Sequence, residues 1–307
     1  MTGQSQGALA QLCMDTALPI DTSSLPLHFY KSTLSAKYEL IDDGSQSMRG
    51  ERSHIEERVS TGLIDVSGSI FAYASPDELD NWLPFALGTA AAGDVFAVAD
   101  VGLERWFEID NVTKVHTFNS CFCDQMIISG QKGQPVSYEF RIIGTSVTES
   151  AAGDFPALTF STQRFSAFHE GVLTMQSTSH LFDRFVLVID NHLERNYNSL
   201  PTATDIVPRD RTVTLYTSTP YTSTESGLLT TPAALDGTWA TFDPAGAAAS
   251  LVFTNGATST SIAIGNLKIT PRTPENAGKR QIRLPIKAKA YKTGSTDEIK
   301  ITHDATP

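Results

Sequence analysis

The stretch Val136-Ser137-Tyr138-Glu139-Phe140-Arg141-Ile142 decides the fold class of this chain. Val136, Tyr138, Phe140 and Ile142 fall on one side of an extended backbone, and Ser137, Glu139 and Arg141 on the other. That period of two marks a strand with one buried face. The strand reads on to residue 147. Just upstream, Gly130-Gln131-Lys132-Gly133 is a hairpin turn, with residues 125–129 as the partner strand. Towards the N-terminus, residues 114–122, 106–109, 62–72 and 34–41 are further strand candidates.

One helix interrupts this order. Ser75-Pro76-Asp77-Glu78 combines an N-cap residue, a proline suited to the first helical position and a glutamate placed to reach back to the cap. Leu79, Trp82, Leu83 and Leu87 then recur at helical spacing as a packing face, and Gly88 supplies a stop. Pro84 lies inside this run and predicts a kink or an early end. The acids Asp77, Glu78 and Asp80 suit the positive end of the helix dipole.

The same order of elements returns about 150 residues later. Tyr38-Glu39-Leu40-Ile41-Asp42-Asp43 matches Val186-Leu187-Val188-Ile189-Asp190-Asn191, and a long polar segment follows each, residues 42–58 and 191–209. Strands are expected at 211–217, 238–242, 249–253 and 260–270, with weak helical content near 224–229 and 233–235. Residues 281–291 alternate cleanly, with Arg283, Lys287 and Lys289 on the polar face. Pro285 on that face predicts a sheet edge or a bulge. The pattern predicts a mainly β chain of two tandem β-sandwich or partly closed barrel domains. Each carries a flanking helix, clear in the first and weak in the second. Residues 1–24 read as a flexible arm, 25–155 as the first domain and 156–307 as the second. Two unrelated β-domains in tandem are the alternative.

Composition narrows the function. The chain of 307 residues is 40% hydrophobic and 19% charged, which fits a folded protein. Net charge is −11, but residues 268–307 hold nine bases and four acids, a local balance of +5 against −16 elsewhere. An acidic body disfavours nucleic-acid binding, which depends on cations displacing condensed counterions. A basic end beside an acidic body favours head-to-tail pairing of copies, with Arg283, Lys287 and Lys289 as candidate strand contacts. Cys13, Cys121 and Cys123 are too few for a disulfide framework and read as core thiols of a reducing compartment. The N-terminus has no signal-peptide pattern, and no apolar run is long enough to span a membrane.

No catalytic constellation emerges. There is no nucleophile elbow, no His-Glu-x-x-His and no phosphate-binding glycine loop, and the histidines are scattered. No cofactor or metal is expected.

Three features together suggest a family. The first is Glu57-Arg58-Val59-Ser60-Thr61-Gly62, with Gly68-Ser69-Ile70 beyond it, leading into the helix with Trp82-Leu83 and Ala86-Leu87-Gly88. The second is the late strand pair, 125–147 in one half and Asn266-Leu267-Lys268-Ile269 to 291 in the other. The third is the long loop between early strands of each half. In these the chain resembles the major tail tube proteins of long, non-contractile-tailed bacteriophages, in the variety with a duplicated tube domain. The resemblance implies a structural virion protein, assembled in the bacterial host cytoplasm. It implies a ring of three chains stacked into a hollow tube whose acidic lumen passes DNA without specific binding. Its partners would be further copies of itself and the tape measure, terminator and distal tail proteins, with no membrane. The long loops would reach the adjacent ring, through Asp42, Asp43, Arg49, Glu51, Arg52, Glu56, Glu57 and Arg58 in the first half. Asn191, Glu194, Arg195, Asp205 and Arg209 would do so in the second. A tail terminator, a distal tail protein and a β-domain adhesin are the competing readings.

Overall fold

The structure is a computed structural model that describes residues 9–42, 56, 59–89, 93–151, 153–175, 177–222, 247–256, 258–270, 282–294 and 296–304. The helical and strand expectations at 224–229, 233–235 and 238–242 lie outside these residues, as do the loop candidates Asp43, Arg49, Glu51, Arg52, Glu57 and Arg58.

The chain is mainly β, with sheets that do not close into a barrel. The first half contains β1 (Gln11–Asp15), β2 (Leu25–Pro26), β3 (Lys31–Ser32), β4 (Ser35–Asp42), β5 (Val59–Ala72), α1 (Pro76–Leu87), β6 (Val95–Ala97), β7 (Arg105–Asp110), β8 (Lys114–Gln131), β9 (Ser137–Gly144) and β10 (Ser146–Ala151). The second contains β11 (Gly171–Met175), β12 (Thr178–His180), β13 (Arg184–Asp190), β14 (Leu193–Asn196), β15 (Asp205–Pro208), β16 (Thr212–Pro220), β17 (Ala247–Asn255), β18 (Thr258–Thr270), β19 (Arg283–Ala290) and β20 (Ile299–Asp304).

The two halves share one pairing scheme, all antiparallel. In the first, β2–β1–β7–β8 forms one layer with β10 on β8, and β8–β9–β5–β4 forms the other. In the second, β12–β11–β17–β18 carries β20 on β18, and β18–β19–β16–β13 follows. By register on β5 and β16, β3 takes the place of β13, and β4 takes that of β14. Burial repeats as well: Cys121, Cys123, Met126 and Ile128 of β8 are buried, and so are Ile262, Ile264, Leu267 and Ile269 of β18, at the same spacing.

The long strand β8 serves both layers of the first copy. Its first half pairs with β7 and β10 and its second with β9, with register shifts at 105/107 and 123/125 and Ser120 at φ 48° between them. Such bulges bend a strand and re-aim its side chains, so a strand can pass from one sheet to the other.

Several elements differ from the sequence expectation. Gln11–Asp15, read as part of a flexible arm, is strand β1, and Leu12, Cys13 and Met14 are fully buried in it. The two stretches 114–122 and 125–129 are one strand. Residues 191–209, read as an irregular polar loop, contain the hairpin β14–β15. Helix α1 runs through Pro84 to Leu87, and Gly88 closes it at φ 83° with its N–H on the Pro84 carbonyl. Pro285 pairs with Ser218 of β16, while β18 pairs only with 287–290 of β19. Among the described residues, one flank of β19 is therefore open at the proline, as an edge position requires.

Helix α1 lies over the core. Leu79, Trp82, Leu83 and Leu87 are buried, and the Trp82 ring stacks on Phe140 at 4.0 Å between centroids with Phe107 at 5.9 Å. The buried Glu78 carboxylate accepts from the Ser75 N–H at 2.9 Å and its hydroxyl at 2.7 Å, and from the His28 N–H at 2.6 Å. The acid therefore ties the helix start to the strand-bearing N-terminal segment.

Candidate assembly interface

The two halves meet in a continuous strand pairing. Residues 125–131 of β8 lie antiparallel against 190–184 of β13, so the second sheet of the first half runs directly into that of the second. Phe185, Leu187 and Ile189 of β13 are buried, and Gln125 Nε2 donates to Asp190 Oδ2 at 2.6 Å across the joint. One apolar core extends through both halves.

Polar side chains lock this seam. Buried Asn191 donates from Nδ2 to the carbonyls of Cys123 at 2.8 Å and Ala86 at 3.1 Å. Arg211 donates to Asn191 Oδ1 at 2.9 Å and to the Ala99 carbonyl, with Glu298 3.5 Å away. Asp124 accepts the Leu193 N–H at 2.8 Å. Burial raises its carboxyl above the ordinary aspartate range and nearby Asp190 adds to this, against the lowering effect of that hydrogen bond. The β14–β15 hairpin folds back over the seam onto β5. Arg195 pairs with Asp65 at 2.8 Å and donates to the Val66 carbonyl at 2.6 Å, the Tyr197 hydroxyl donates to the Ile64 carbonyl at 3.2 Å, and the Ile64 N–H donates to the Pro201 carbonyl at 2.8 Å.

The sequence candidates in 191–209 thus divide. Asn191 and Arg195 bond to the first copy, whereas Glu194, Asp205 and Arg209 are exposed, with Glu194 and Arg209 paired to each other. Of the first-loop candidates, Asp42 ends β4 and Glu56 is exposed. Arg211 was missed from the sequence. Its partners are the Asn191 side chain, the Ala99 carbonyl and the Glu298 carboxylate, none of which leaves a local signal.

The outer flank of the first copy is the opposite of the seam. Among the described residues β3, the counterpart of β13 by register, pairs with β5 alone, and Tyr30 beside it is 51% exposed. Next along the same edge β4 also pairs with β5 alone, and its Tyr38, Leu40 and Ile41 are 63%, 70% and 60% exposed. An unpaired edge strand bearing large apolar side chains invites another strand, and folded proteins normally cover or charge such edges. At the other end of the chain, the counterpart of seam residues 127–129 is 268–270 of β18. These pair with β19 on one flank, and no described strand lies on the other.

The faces of the two copies away from the core also differ. On the first, Glu139 accepts from Ser69 Oγ at 3.1 Å and Arg141 Nε at 3.0 Å. On the second, Lys287 lies over Tyr216 at 5.4 Å, while Lys289 and Lys268, cross-strand neighbours, lie over Tyr291 at 5.7 and 5.6 Å. Arg283 pairs with Asp183 at 2.8 Å.

The cysteines are free and buried, and burial first, then Glu108, pushes the Cys13 thiol up to about 12. Among the described residues no group of three or more His, Cys, Asp or Glu is placed to hold a metal ion, and no helix is long and apolar enough to cross a membrane. A family model described as phage tail tube protein matches residues 43–290. No curated protein matches the chain.

Proposed function

The chain belongs to the phage tail tube protein family, and from that premise we propose that copies of it join head to tail into three-chain rings of six tube domains, which stack into a hollow tube. Membership makes it a structural component of the virion tail, in a family that is not a known class of enzyme. In our reading the tube is of the long, non-contractile type, is assembled in the host cytoplasm and conducts DNA during ejection. Tape measure, terminator and distal tail proteins bind its interior and ends.

One observation carries the ring: the β8–β13 seam joins the two halves within the chain, and among the described residues β3 repeats the β13 edge without a strand on its outer side. Repeating the seam between chains sets 268–270 of one chain against 29–31 of the next. Head-to-tail contacts of this kind close into rings when the rotation closes. Stacking falls to 42–58 and to the exposed Glu194, Asp205 and Arg209.

Negative-stain microscopy with mass photometry of the purified chain tests this directly. Rings with a mass of three chains, and tubes at high concentration, are the expected result. A monomer at every concentration would sink the proposal. Replacing 43–58 by a short Gly/Ser turn should leave rings and remove tubes, and tubes that survive would cancel the stacking assignment.

A further inference from the structure

The duplicated scheme also has a filled groove in one copy and an open one in the other. In the second copy the space between β20 and β13 is occupied by the connection that follows β5 in the first. Strand β6 adds to the edge of β20, pairing 95–97 with 302–300, and the His303 N–H donates to the Asp94 carbonyl at 2.8 Å. Phe96 is buried there. Asn191 and Arg211 hold the same connection by the carbonyls of Ala86 and Ala99.

The counterparts of β20 and β13 in the first half are β10 and β3. The space between them is a groove of about 680 Å³, lined by Phe29, Lys31, Leu34, Phe118 and Val147. Among the described residues β10 pairs only with β8, so its other edge is open.

We propose that this groove receives residues 221–246 of the neighbouring chain, the connection between its β16 and β17. The inference rests on the head-to-tail ring and specifies a second contact within it. The connection is the right piece by position, because it is the counterpart of residues 73–104, which bear α1 and β6. It is also right by sequence. Val95-Phe96-Ala97-Val98-Ala99-Asp100 aligns with Thr238-Trp239-Ala240-Thr241-Phe242-Asp243, which places Trp239 where Phe96 stands and keeps Ala240 and Asp243 in step with Ala97 and Asp100. A strand on the open edge of β10 satisfies its backbone groups, and an indole in the groove covers Phe118 and Val147. Each chain then grips the next twice, by the β18–β3 seam and by this insertion, as its own first half grips its second.

The test is photo-cross-linking of the full chain with p-benzoylphenylalanine in place of Val147, followed by peptide mapping. Cross-links to 221–246 of another chain should form in the assembled fraction and not in the monomer. Cross-links confined to the same chain, or to any other segment of the neighbour, would overturn the insertion. Trp239→Ala and Val147→Glu should each raise the concentration needed for rings at least tenfold with monomer melting unchanged. Unaltered assembly of both variants removes the insertion and leaves the ring standing. Failure of the unaltered chain to form rings removes both.

Discussion

Strand β13 and strand β3 take the same place in the two halves. Each pairs on one side with its own neighbour, β16 or β5, at equivalent positions. Strand β13 has β8 on its other side and buries Phe185, Leu187 and Ile189, while β3 has no second partner among the described residues and Tyr30 beside it is exposed. What differs between the two edges is occupancy.

The sharpest way to break this contrast is to shorten matching side chains. Leu187→Ala removes a fully buried group at the inner seam and should cost about 2–5 kcal/mol in urea unfolding. Tyr30→Ala, at the position that answers to Leu187, should cost clearly less, because Tyr30 is half exposed. Equal losses would mean that the β3 edge is already covered. Next in size, Arg211→Ala strips the Asn191 side chain and the Ala99 carbonyl of a shared donor and should destabilise by about 1–3 kcal/mol. A change below the error of the melt would show that the seam is held by strand pairing alone.

The smallest effect concerns pH. Burial holds the Asp124 carboxyl above its unfolded value, so its contribution to stability is fully present below the unfolded pKa and is lost as pH rises through the folded one. Asp124→Asn should therefore raise the melting temperature at pH 7, and that advantage should shrink as pH falls towards 4. A constant gap between the two proteins across this range would contradict the assignment.

What the amino-acid order reveals follows the range of the interaction that fixes each element. Helix α1 was legible because Ser75, Pro76, Glu78 and Gly88 act within one or two turns, and β9 and β19 because alternation is a local property. Strand β1 escaped notice: Leu12, Cys13 and Met14 are buried in succession, so Gln11–Asp15 shows no alternation. The β14–β15 hairpin escaped because its polar residues bond to β5, through Arg195 and Tyr197, and do not form an apolar face. The two parts of β8 read as separate strands because the bulges between Phe118 and Gln125 break the period. At the interface, the match of residues 38–43 to 186–191 read from the sequence is not the one the pairing makes, since 31–32 of β3 take the place of 188–189, and the joint itself was not visible. Of its donors, Asn191 acts on main-chain oxygens that any residue supplies, and Arg211 on one such oxygen and the Asn191 side chain.

The covalent link between the two halves has a kinetic consequence for the proposed ring. Because β8 and β13 belong to one polypeptide, every second joint of the six-domain ring proposed above would form during folding at the effective concentration of a tether, independent of how much protein the cell has made. Only three encounters per ring remain to be driven by mass action, each between bodies that already carry a finished joint. Dilution then has fewer places at which to break the circle, and selection can alter one joint, or the lysines beside it, without altering the other.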